Sequence, residues 1–283
     1  MRITRDCSQG LLNTGVSGCP VDFKHIKGAI LVTKGTKLSK DLTATELTEL
    51  CHADRPDRVM PVKGFVEYAK EGGEPQVSAN GYGASTFTGM SPQTDTFTLG
   101  KFYPELHAQI LKAVNTEFGV YYYTKDNRLI GLNDELSDEL FPIPVNLVPS
   151  ATPFKTSSAQ SIQTVGFSYV DTEYVHKHYD YVKLEFDIDE ALIGLVLVEL
   201  QKRDDNDWRL VEKVGGLDRT AEFGNLLKDA GATAIPAASS VTYMNGVLGI
   251  TLAQGKTEAD VVLAKASVLY NADIEGIQQW DEE

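Results

Sequence analysis

The chain lacks most of the features that mark a secreted, membrane-spanning or disulfide-stabilised protein. Its three cysteines, Cys7, Cys19 and Cys51, are too few and too scattered for a disulfide framework and leave one thiol over, so synthesis in a reducing cytosol is expected. No apolar run approaches the roughly 20 residues that cross a bilayer, so no membrane-spanning segment is predicted. The polar start, Met1–Asp6, is followed by no apolar signal core, which argues against secretion by that route.

Motifs for catalysis and cofactor binding are also missing. Gly81–Thr86 and Gly215-Gly216 are glycine-rich, but they lack the Lys-Ser/Thr ending and the following helix of a phosphate loop. His176 and His178 would share one face of a strand, yet no third metal ligand is identifiable. No spacing of carboxylates, and no Gly-x-Ser-x-Gly elbow, singles out a reactive group. The sequence therefore predicts no catalytic, cofactor-binding or metal-binding residue, and no enzyme.

Aromatic residues keep one alternative open. Tyr121-Tyr122-Tyr123 suggests a stacking platform, but alternate tyrosines on a strand divide between core and surface. Trp208 and Trp280 are candidate contacts for a sugar, so a carbohydrate- or surface-binding β-sandwich module is the alternative from another functional class. An enzyme whose site is assembled from distant carboxylates is a third.

Charge is unevenly distributed along the chain, whose formal net charge is −14. Residues 1–40 carry seven basic and two acidic side chains, whereas residues 134–190 carry eleven acidic and three basic ones. This pattern fits either a solvated acidic surface with a basic leader, or a basic segment of one subunit that meets the acidic face of another. Tight binding to nucleic-acid phosphates is disfavoured, because it needs a dense cationic surface. An acidic chain can still surround DNA if its task is to let the polymer slide.

Alternation of apolar and polar residues predicts a mainly β fold with one or two short flanking helices. Thr94–Leu99 has the period-two pattern of a strand with one covered face, and Gly28–Thr33 is a short buried-type strand. Pro104–Val114 has the spacing of an amphipathic helix. Val120–Leu132, with a turn at 125–127, predicts a hairpin. The segment at 69–82 is expected to be a long loop.

The remainder of the chain predicts further strands. Phe141–Pro149 contains three prolines and is interpreted as an extended connector rather than a central strand. Tyr181–Ile188 alternates cleanly and predicts a strand, and Leu192–Leu200 suits a strand buried on both faces. Asn245-Gly246 predicts a tight hairpin. Ala259–Ile277 is interpreted as strands, with a helix that opens at Thr257–Asp260 as the alternative. A boundary near 190 divides residues 1–190 from a smaller β-rich, possibly immunoglobulin-like module at 191–283.

The order of features up to about residue 190 resembles the major tail tube proteins of long-tailed bacteriophages. The matching features are the flexible, extended leader that ends at Pro20, the strand at 28–33, the loop at 69–82, the Thr-Phe-Thr strands at 86–99, the helix at 104–114 and the hairpin at 120–132. The match is one of pattern and not of a defining motif.

This resemblance implies a virion protein with a β-sandwich or barrel fold. Its partners would be itself, in hexameric rings that stack into a tube, and other virion proteins, with DNA passing through the tube without specific binding. A capsid decoration protein or a head–tail connector is the nearest alternative. Residues 191–283 would look like the immunoglobulin-like modules that phage structural proteins often carry.

Overall fold

A computed structural model of the chain describes residues 24–133, 137–150, 162–204 and 206–280. The predicted leader, with Cys7 and Cys19, lies outside these residues. The fold is mainly β, with several sheets and a few short helices, which confirms the predicted fold class at that level. The chain divides into two compact units: Met1–Glu46 with Met60–Ala191, and Leu47–Val59 with Leu192–Glu283. Within the described ranges, every helix is too short or too polar to cross a bilayer.

The described strands of the first unit are two to eight residues long. The strands are β1 (Ile26–Thr33), β2 (Leu38–Ser39), β3 (Met60–Lys63), β4 (Phe65–Gly72), β5 (Pro75–Asn80), β6 (Ala84–Met90), β7 (Gln93–Leu99), β8 (Glu117–Thr124), β9 (Arg128–Leu132), β10 (Glu139–Leu140), β11 (Ile143–Pro149), β12 (Gln163–Tyr169) and β13 (Tyr179–Lys183). The helices are α1 (Ala44–His52), most of which belongs to the second unit, α2 (Pro104–Lys112), α3 (Thr172–His178) and α4 (Ile188–Ala191).

A nine-stranded sheet organises the first unit around β8. One edge of β8 pairs antiparallel with β1, and the other edge pairs first with β11 and then with β9. From β11 the sheet continues through β12 and β7 and ends at β4, while β13 follows β9 at the opposite end. β1 also pairs with β3, and β2–β10 and β5–β6 form two small separate sheets. The predicted strands at 28–33 and 94–99, the helix at 104–114 and the hairpin at 120–132 are thus confirmed.

Burial along β7 and β8 shows how the sheet is covered. On β7, Phe97 and Leu99 are buried and the intervening threonines are not, as expected for one covered face. On β8, by contrast, Tyr121, Tyr122 and Tyr123 are all buried. The expectation that these tyrosines divide between core and surface is wrong, because other parts of the unit cover β8 on both faces.

The segment Phe141–Pro149, interpreted as a connector, instead contains a central strand. β11 lies between β8 and β12 despite its prolines. Pro144 still accepts a hydrogen bond through its carbonyl, from the backbone N–H of Val170 at 3.0 Å. Pro149 is the last residue of β11 and lies beyond Asn146, the last residue that pairs with β8. The prolines therefore stand near the two ends of the strand, where a missing N–H costs least.

Two other strand predictions in the first unit need correction. β13 ends at Lys183, and the chain turns into α4, where the Asp187 carboxylate accepts the backbone N–H of Asp189 at 2.9 Å. The alternation over Tyr181–Ile188 therefore describes a strand only in its first half. The segment at 69–82 is no loop: it contains the end of β4 and all of β5.

The second unit contains five strands and short helices. The strands are β14 (Val196–Asp204), β15 (Asp207–Glu212), β16 (Ala238–Met244), β17 (Val247–Leu252) and β18 (Ile277–Gln279). The helices are α5 (Thr220–Ala230) and α6 (Ala266–Tyr270), with single 3₁₀ turns at Gly231–Thr233 and Glu258–Asp260. The five strands form one sheet of order β16–β17–β15–β14–β18, in which β18 runs parallel to β14.

Helices, not a second sheet, cover the core of this unit. Phe223 and Leu227 of α5 pack in one cluster with Trp208, Leu210 and Leu248 of the sheet. This arrangement differs from the two packed sheets of an immunoglobulin-like module. Two other expectations are wrong here. β14 is buried only at Val198 and Leu200, with partly buried residues around them and exposed residues beyond, and Ala259–Ile277 is largely helix and loop. The predicted Asn245-Gly246 hairpin between β16 and β17 is confirmed.

A segment from the amino-terminal part of the chain belongs to this second unit. Residues 47–59 include Leu47, Cys51 and Val59, which are almost completely buried. His52 is fully buried as well: its Nδ1 donates to the Thr48 carbonyl at 2.8 Å and its Nε2 accepts the backbone N–H of Gly276 at 3.0 Å. The sequence-based boundary near residue 190 did not assign these residues to the carboxy-terminal module.

Candidate functional site

An exposed β-hairpin is the most unusual feature of the first unit. β5 and β6 pair with each other and form their own two-stranded sheet, here called the outer hairpin (Pro75–Met90). It continues the ribbon of β4 and β7 and, at about 3.3 Å per residue, is about 20 Å long. Apart from the start of its root at Gly89 and Met90, every residue of it with described burial is exposed. A two-stranded hairpin alone in water is at best marginally stable, and this one is held to the first unit only through its root.

The two faces of the outer hairpin differ in chemistry. Val77 lies directly opposite Phe87, and the two side chains are 65% and 51% exposed. Ser78 lies opposite Thr86 on the other face. At the tip, Tyr82 is fully exposed. The hairpin therefore presents an apolar face and a hydroxyl face, and nothing among the described residues covers the apolar one.

Charge is absent from the hairpin and its root. No residue from Pro75 to Thr94 is charged, in a chain of which 23% of residues are charged. Exposed surface normally carries Lys, Glu and Asp, and these residues are depleted where one protein covers another. An exposed, uncharged ribbon with apolar side chains has the composition of a protein–protein interface.

The root of the hairpin is clamped to α3 through Gln93. Its side-chain oxygen accepts a hydrogen bond from His176 Nε2 at 2.7 Å, and its backbone N–H donates to Thr172 Oγ1 at 3.0 Å. Gly73 has a φ of +74°, and a Cβ there would collide with the Gln93 side chain. Glycine is thus required at this bend for both conformation and space. The clamp fixes the direction in which the hairpin leaves the sheet.

A buried carboxylate lies directly inside this clamp. Asp95, only 3% exposed, accepts hydrogen bonds from Gln93 Nε2 at 2.9 Å, Tyr68 at 3.0 Å, Tyr122 at 3.4 Å and Tyr169 at 2.5 Å. Tyr179 extends the network through its hydroxyl, 2.8 Å from that of Tyr169. Four donors from separate strands compensate the cost of burying the carboxylate. The network joins β4, β7, β8, β12 and β13 at the base of the hairpin.

The tyrosines of this network hold their protons strongly. Burial, followed by the nearby Asp95 carboxylate and Tyr179 hydroxyl, raises the pKa of Tyr122 well above its ordinary value. Burial and the neighbouring Tyr122, Tyr179 and Asp95 do the same for the pKa of Tyr169. Burial raises the pKa of Tyr179 to about 12. At neutral pH the hydroxyls of Tyr122 and Tyr169 therefore stay protonated and donate to Asp95, while Tyr179 bonds to Tyr169. This suits a structural network rather than proton transfer.

These shifts predict a loss of stability in alkali. In the unfolded chain the tyrosines ionise near pH 10, whereas in the folded chain they stay protonated to higher pH. The stabilisation is complete below pH 10 and is lost as the pH rises towards the folded-state pKa values. For the buried Tyr122 and Tyr169 together, we expect a loss of about 2 kcal/mol between pH 10 and 11. Urea denaturation at pH 9, 10 and 11 measures it. In Tyr122→Phe the free energy of unfolding should fall less steeply with pH than in the wild type. An equally steep fall would contradict the prediction.

The face of the sheet opposite the core forms a second candidate surface, here called the open face. Cross-strand pairs place its residues side by side, because residues directly opposite each other on antiparallel strands share a face. They are Glu67, Ala69 and Glu71 of β4, Thr94, Thr96 and Thr98 of β7, Thr164, Gly166 and Ser168 of β12, and Asn146 and Val148 of β11. None of these residues is basic, and the polar groups of the open face are mainly hydroxyls and carboxylates.

Comparison with known proteins adds no relative. No model of a known protein family matches the chain, and no curated protein is recognisably similar to it.

The residues weighed as sites from the sequence lie apart from one another. His176 and His178 are on helix α3 rather than a strand, so they do not share a face, and each is hydrogen-bonded, to Gln93 and to the Tyr174 carbonyl. In the described ranges, no group of three His, Cys, Asp or Glu side chains is placed to hold a metal ion. Trp208 is 5% exposed and belongs to the core of the second unit.

The outer hairpin and the Asp95 network were both missed by sequence reasoning. A signal for the hairpin exists in the uncharged stretch from 75 to 94, which contrasts with its charged neighbours. Sequence gives no local signal for the tyrosine donors of the network. Tyr68 and Tyr122 are each 27 residues from Asp95, and Tyr169 is 74 residues away.

Proposed function

We propose that this protein is a structural subunit that assembles with copies of itself, and that it builds the tail tube of a long-tailed phage virion. The observation that supports self-assembly most directly is the outer hairpin, exposed on both faces and uncharged over its whole length. Such a ribbon gains stability only when another surface covers it. In a homo-oligomer that surface is supplied by an identical subunit.

The open face supports the tube within this proposal. A conduit for DNA must not retain phosphates. Fixed carboxylates repel them, and neutral hydroxyls lack the positive charge on which tight phosphate binding depends. The open face carries Glu67 and Glu71 along one edge and a field of threonines beside them. We assign this face to the lumen. A capsid-associated protein or a head–tail connector would use the same hairpin in a different symmetry.

The carbohydrate-binding alternative loses one of its two candidate contacts. Trp208 is in the core and cannot stack on a sugar without unfolding the second unit. Trp280 is partly buried, with Lys213 Nζ 5.5 Å from its ring centroid. A single partly covered indole is a poor platform for a glycan.

The test is assembly of the purified full-length protein. Negative-stain microscopy and light scattering over a range of concentrations should show rings or tubes for the wild-type chain. Phe87→Asp places a charge on the apolar face of the hairpin and should raise the concentration needed for assembly at least tenfold, since burying an unpaired charge at an interface costs more than 1.4 kcal/mol.

Thr86→Asp is the matched control. It places the same charge one residue away, on the hydroxyl face, and should assemble close to the wild-type concentration. Both positions are exposed in the subunit, so both variants should keep the wild-type circular dichroism and melting temperature. A wild-type chain that stays monomeric at every concentration would refute the proposed function.

A further inference from the structure

A lysine, an asparagine and an aspartate meet at one carboxylate oxygen in the first unit. Lys40 directly follows β2, Asn133 directly follows β9, and Asp180 lies on β13. The Asp180 Oδ2 atom accepts hydrogen bonds from Lys40 Nζ at 2.9 Å and from Asn133 Nδ2 at 3.1 Å. Because the two nitrogens share this oxygen, they lie at most about 6 Å apart. An amine and a carboxamide are thus neighbours at a single carboxylate.

Backbone hydrogen bonds fix the positions of all three residues. The Lys40 N–H donates to the Asp138 carbonyl at 3.0 Å, and the Asn133 N–H donates to the His178 carbonyl at 2.8 Å. Asp180 is held by the antiparallel pairing of β13 with β9. The three side chains are therefore brought together by the sheet and its connections, and not only by their own contacts.

The Lys40 amine is deeply buried and has few partners. Its side chain is 8% exposed, and the side chain of Asp180 is 14% exposed. An ammonium group has three N–H donors, but Asp180 is the one acceptor of Lys40 Nζ in the part of the chain that the structure describes. Burial of a charged amine with unused donors is costly. An amide nitrogen, which is neutral and has a single N–H, would satisfy the same acceptor at lower cost.

The Asn133 carboxamide is oriented for attack by an amine. Its Oδ1 accepts the backbone N–H of Ser137 at 3.0 Å. A donor at this oxygen stabilises the negative charge that develops when a nucleophile adds to the carbonyl carbon. The amide nitrogen, which would be the leaving group, bonds to Asp180 Oδ2, and a carboxyl group at that position can give it a proton.

We propose that Lys40 and Asn133 react with each other and form an isopeptide bond within the subunit, with Asp180 as the proton carrier. Lys40 Nζ gives a proton to the Asp180 carboxylate, and the neutral amine adds to the side-chain carbonyl carbon of Asn133. The bond between Nζ and Cγ forms, and the bond between Cγ and Nδ2 breaks. Two of the three protons of the Lys40 ammonium pass through Asp180 to the departing nitrogen, which leaves as ammonium. The third stays on the new amide, and no oxidant or reductant is needed.

The charges at the site indicate that this bond forms slowly after folding. Burial raises the pKa of Asp180, but hydrogen bonds from Lys40, Asn133 and the backbone N–H of Tyr181 outweigh it and hold the pKa below its ordinary value. The resting site is therefore an ion pair, and the first proton transfer runs uphill. We expect freshly folded protein to be unreacted and to convert on incubation.

Mass spectrometry of the purified full-length protein tests the inference. The intact mass should fall by about 17 Da, the mass of ammonia, during incubation at neutral pH. After complete digestion with trypsin, the chain should remain uncut at Lys40, and the Lys40 peptide should be joined to the peptide that contains Asn133. Lys27 is the matched internal control: it pairs with Asp189 at 3.0 Å, and the contacts of Asp189 among the described residues include no asparagine. The chain should be cut normally at Lys27.

Two variants assign the roles of the residues. Lys40→Arg keeps a positive charge beside Asp180, but a guanidinium, which stays protonated, does not attack an amide. This variant should keep its full mass and melt about 10 °C below the reacted wild type, because the bond closes a loop of roughly 90 residues. Asp180→Asn removes the proton carrier and should slow the loss of ammonia roughly a hundredfold. Circular dichroism checks that both variants are folded.

The outcomes decide the inference independently of the proposed function, because none of them depends on assembly. A wild-type chain that keeps its full mass overturns the inference. Loss of ammonia with normal cleavage at Lys40, or an equal loss in Lys40→Arg, places the reaction elsewhere and also overturns it. Reaction of Asp180→Asn at the wild-type rate overturns the role of the carboxylate.

Discussion

A fragment of residues 192–283 is expected to be unfolded on its own, and the same fragment preceded by residues 47–59 is expected to fold. The second unit buries Leu47, Cys51 and Val59 from that segment, together with His52 and its two hydrogen bonds. Without these apolar side chains the unit loses about 5 kcal/mol of the stabilisation that their burial provides. This is comparable to the whole free energy of unfolding of a small domain.

Tryptophan fluorescence measures this difference cleanly, because both tryptophans of the chain, Trp208 and Trp280, lie in the second unit. Residues 47–59 joined to residue 192 by a flexible linker of about 15 residues can span roughly 20 Å. The fused fragment should show a blue-shifted emission and a cooperative urea transition. A fusion with Leu47→Asp is the matched control and should resemble the bare fragment. A cooperative transition in the bare fragment would contradict the expectation.

Asp95→Ala is expected to be the most damaging single substitution in the first unit. It leaves the hydroxyls of Tyr122 and Tyr169 and the amide of Gln93 without their acceptor inside the protein. Each buried donor left unsatisfied costs about 1–3 kcal/mol, so a loss of about 4 kcal/mol is expected, or roughly 10 °C in melting temperature for a unit of this size.

Calorimetry on the full chain measures this loss. Asp95→Asn keeps one acceptor oxygen and should lose less stability than Asp95→Ala. Thr96→Ala changes the neighbouring residue, which faces the open side of the same strand, and should shift the transition by less than about 0.5 kcal/mol. Equal effects of Asp95→Ala and Thr96→Ala would show that the network does not stabilise the fold.

Prolines and periodicity show where local pattern misleads. Phe141–Pro149 was excluded from the sheet because of its prolines, yet β11 is central. Excluding a segment from the sheet is sound when a proline lies in the middle of a paired strand. Pro144 and Pro149 instead lie near the two ends of β11. Where a strand ends depends on the lengths of its neighbours, which the local sequence does not contain. The alternation at Tyr181–Ile188 fails for a related reason, since Asp187 caps a helix that the alternating pattern does not reveal.

Local chemistry did determine several elements. Thr43 and Glu46 stand three residues apart, which is the spacing of a capping box, and they form one: the Glu46 carboxylate accepts the Thr43 backbone N–H at 2.8 Å. Asn245-Gly246 makes its predicted turn with both residues at positive φ. Turns and caps depend on residues within four positions of each other, so their energetics are contained in the sequence.

The candidate surfaces and the division into units depend instead on the tertiary structure. Residues 47–59 belong to the second unit because of contacts with residues more than 200 positions away, such as the hydrogen bond between His52 and Gly276. The cost of burying the Asp95 carboxylate is compensated only because four strands bring three tyrosine hydroxyls and one amide to it. By itself the sequence determined that the chain is mainly β and where many of its turns lie, since those follow from short-range preferences. Which strands are central, which faces stay open and which segment completes each unit were decided by long-range pairing, because burial and hydrogen bonding are properties of the assembled fold.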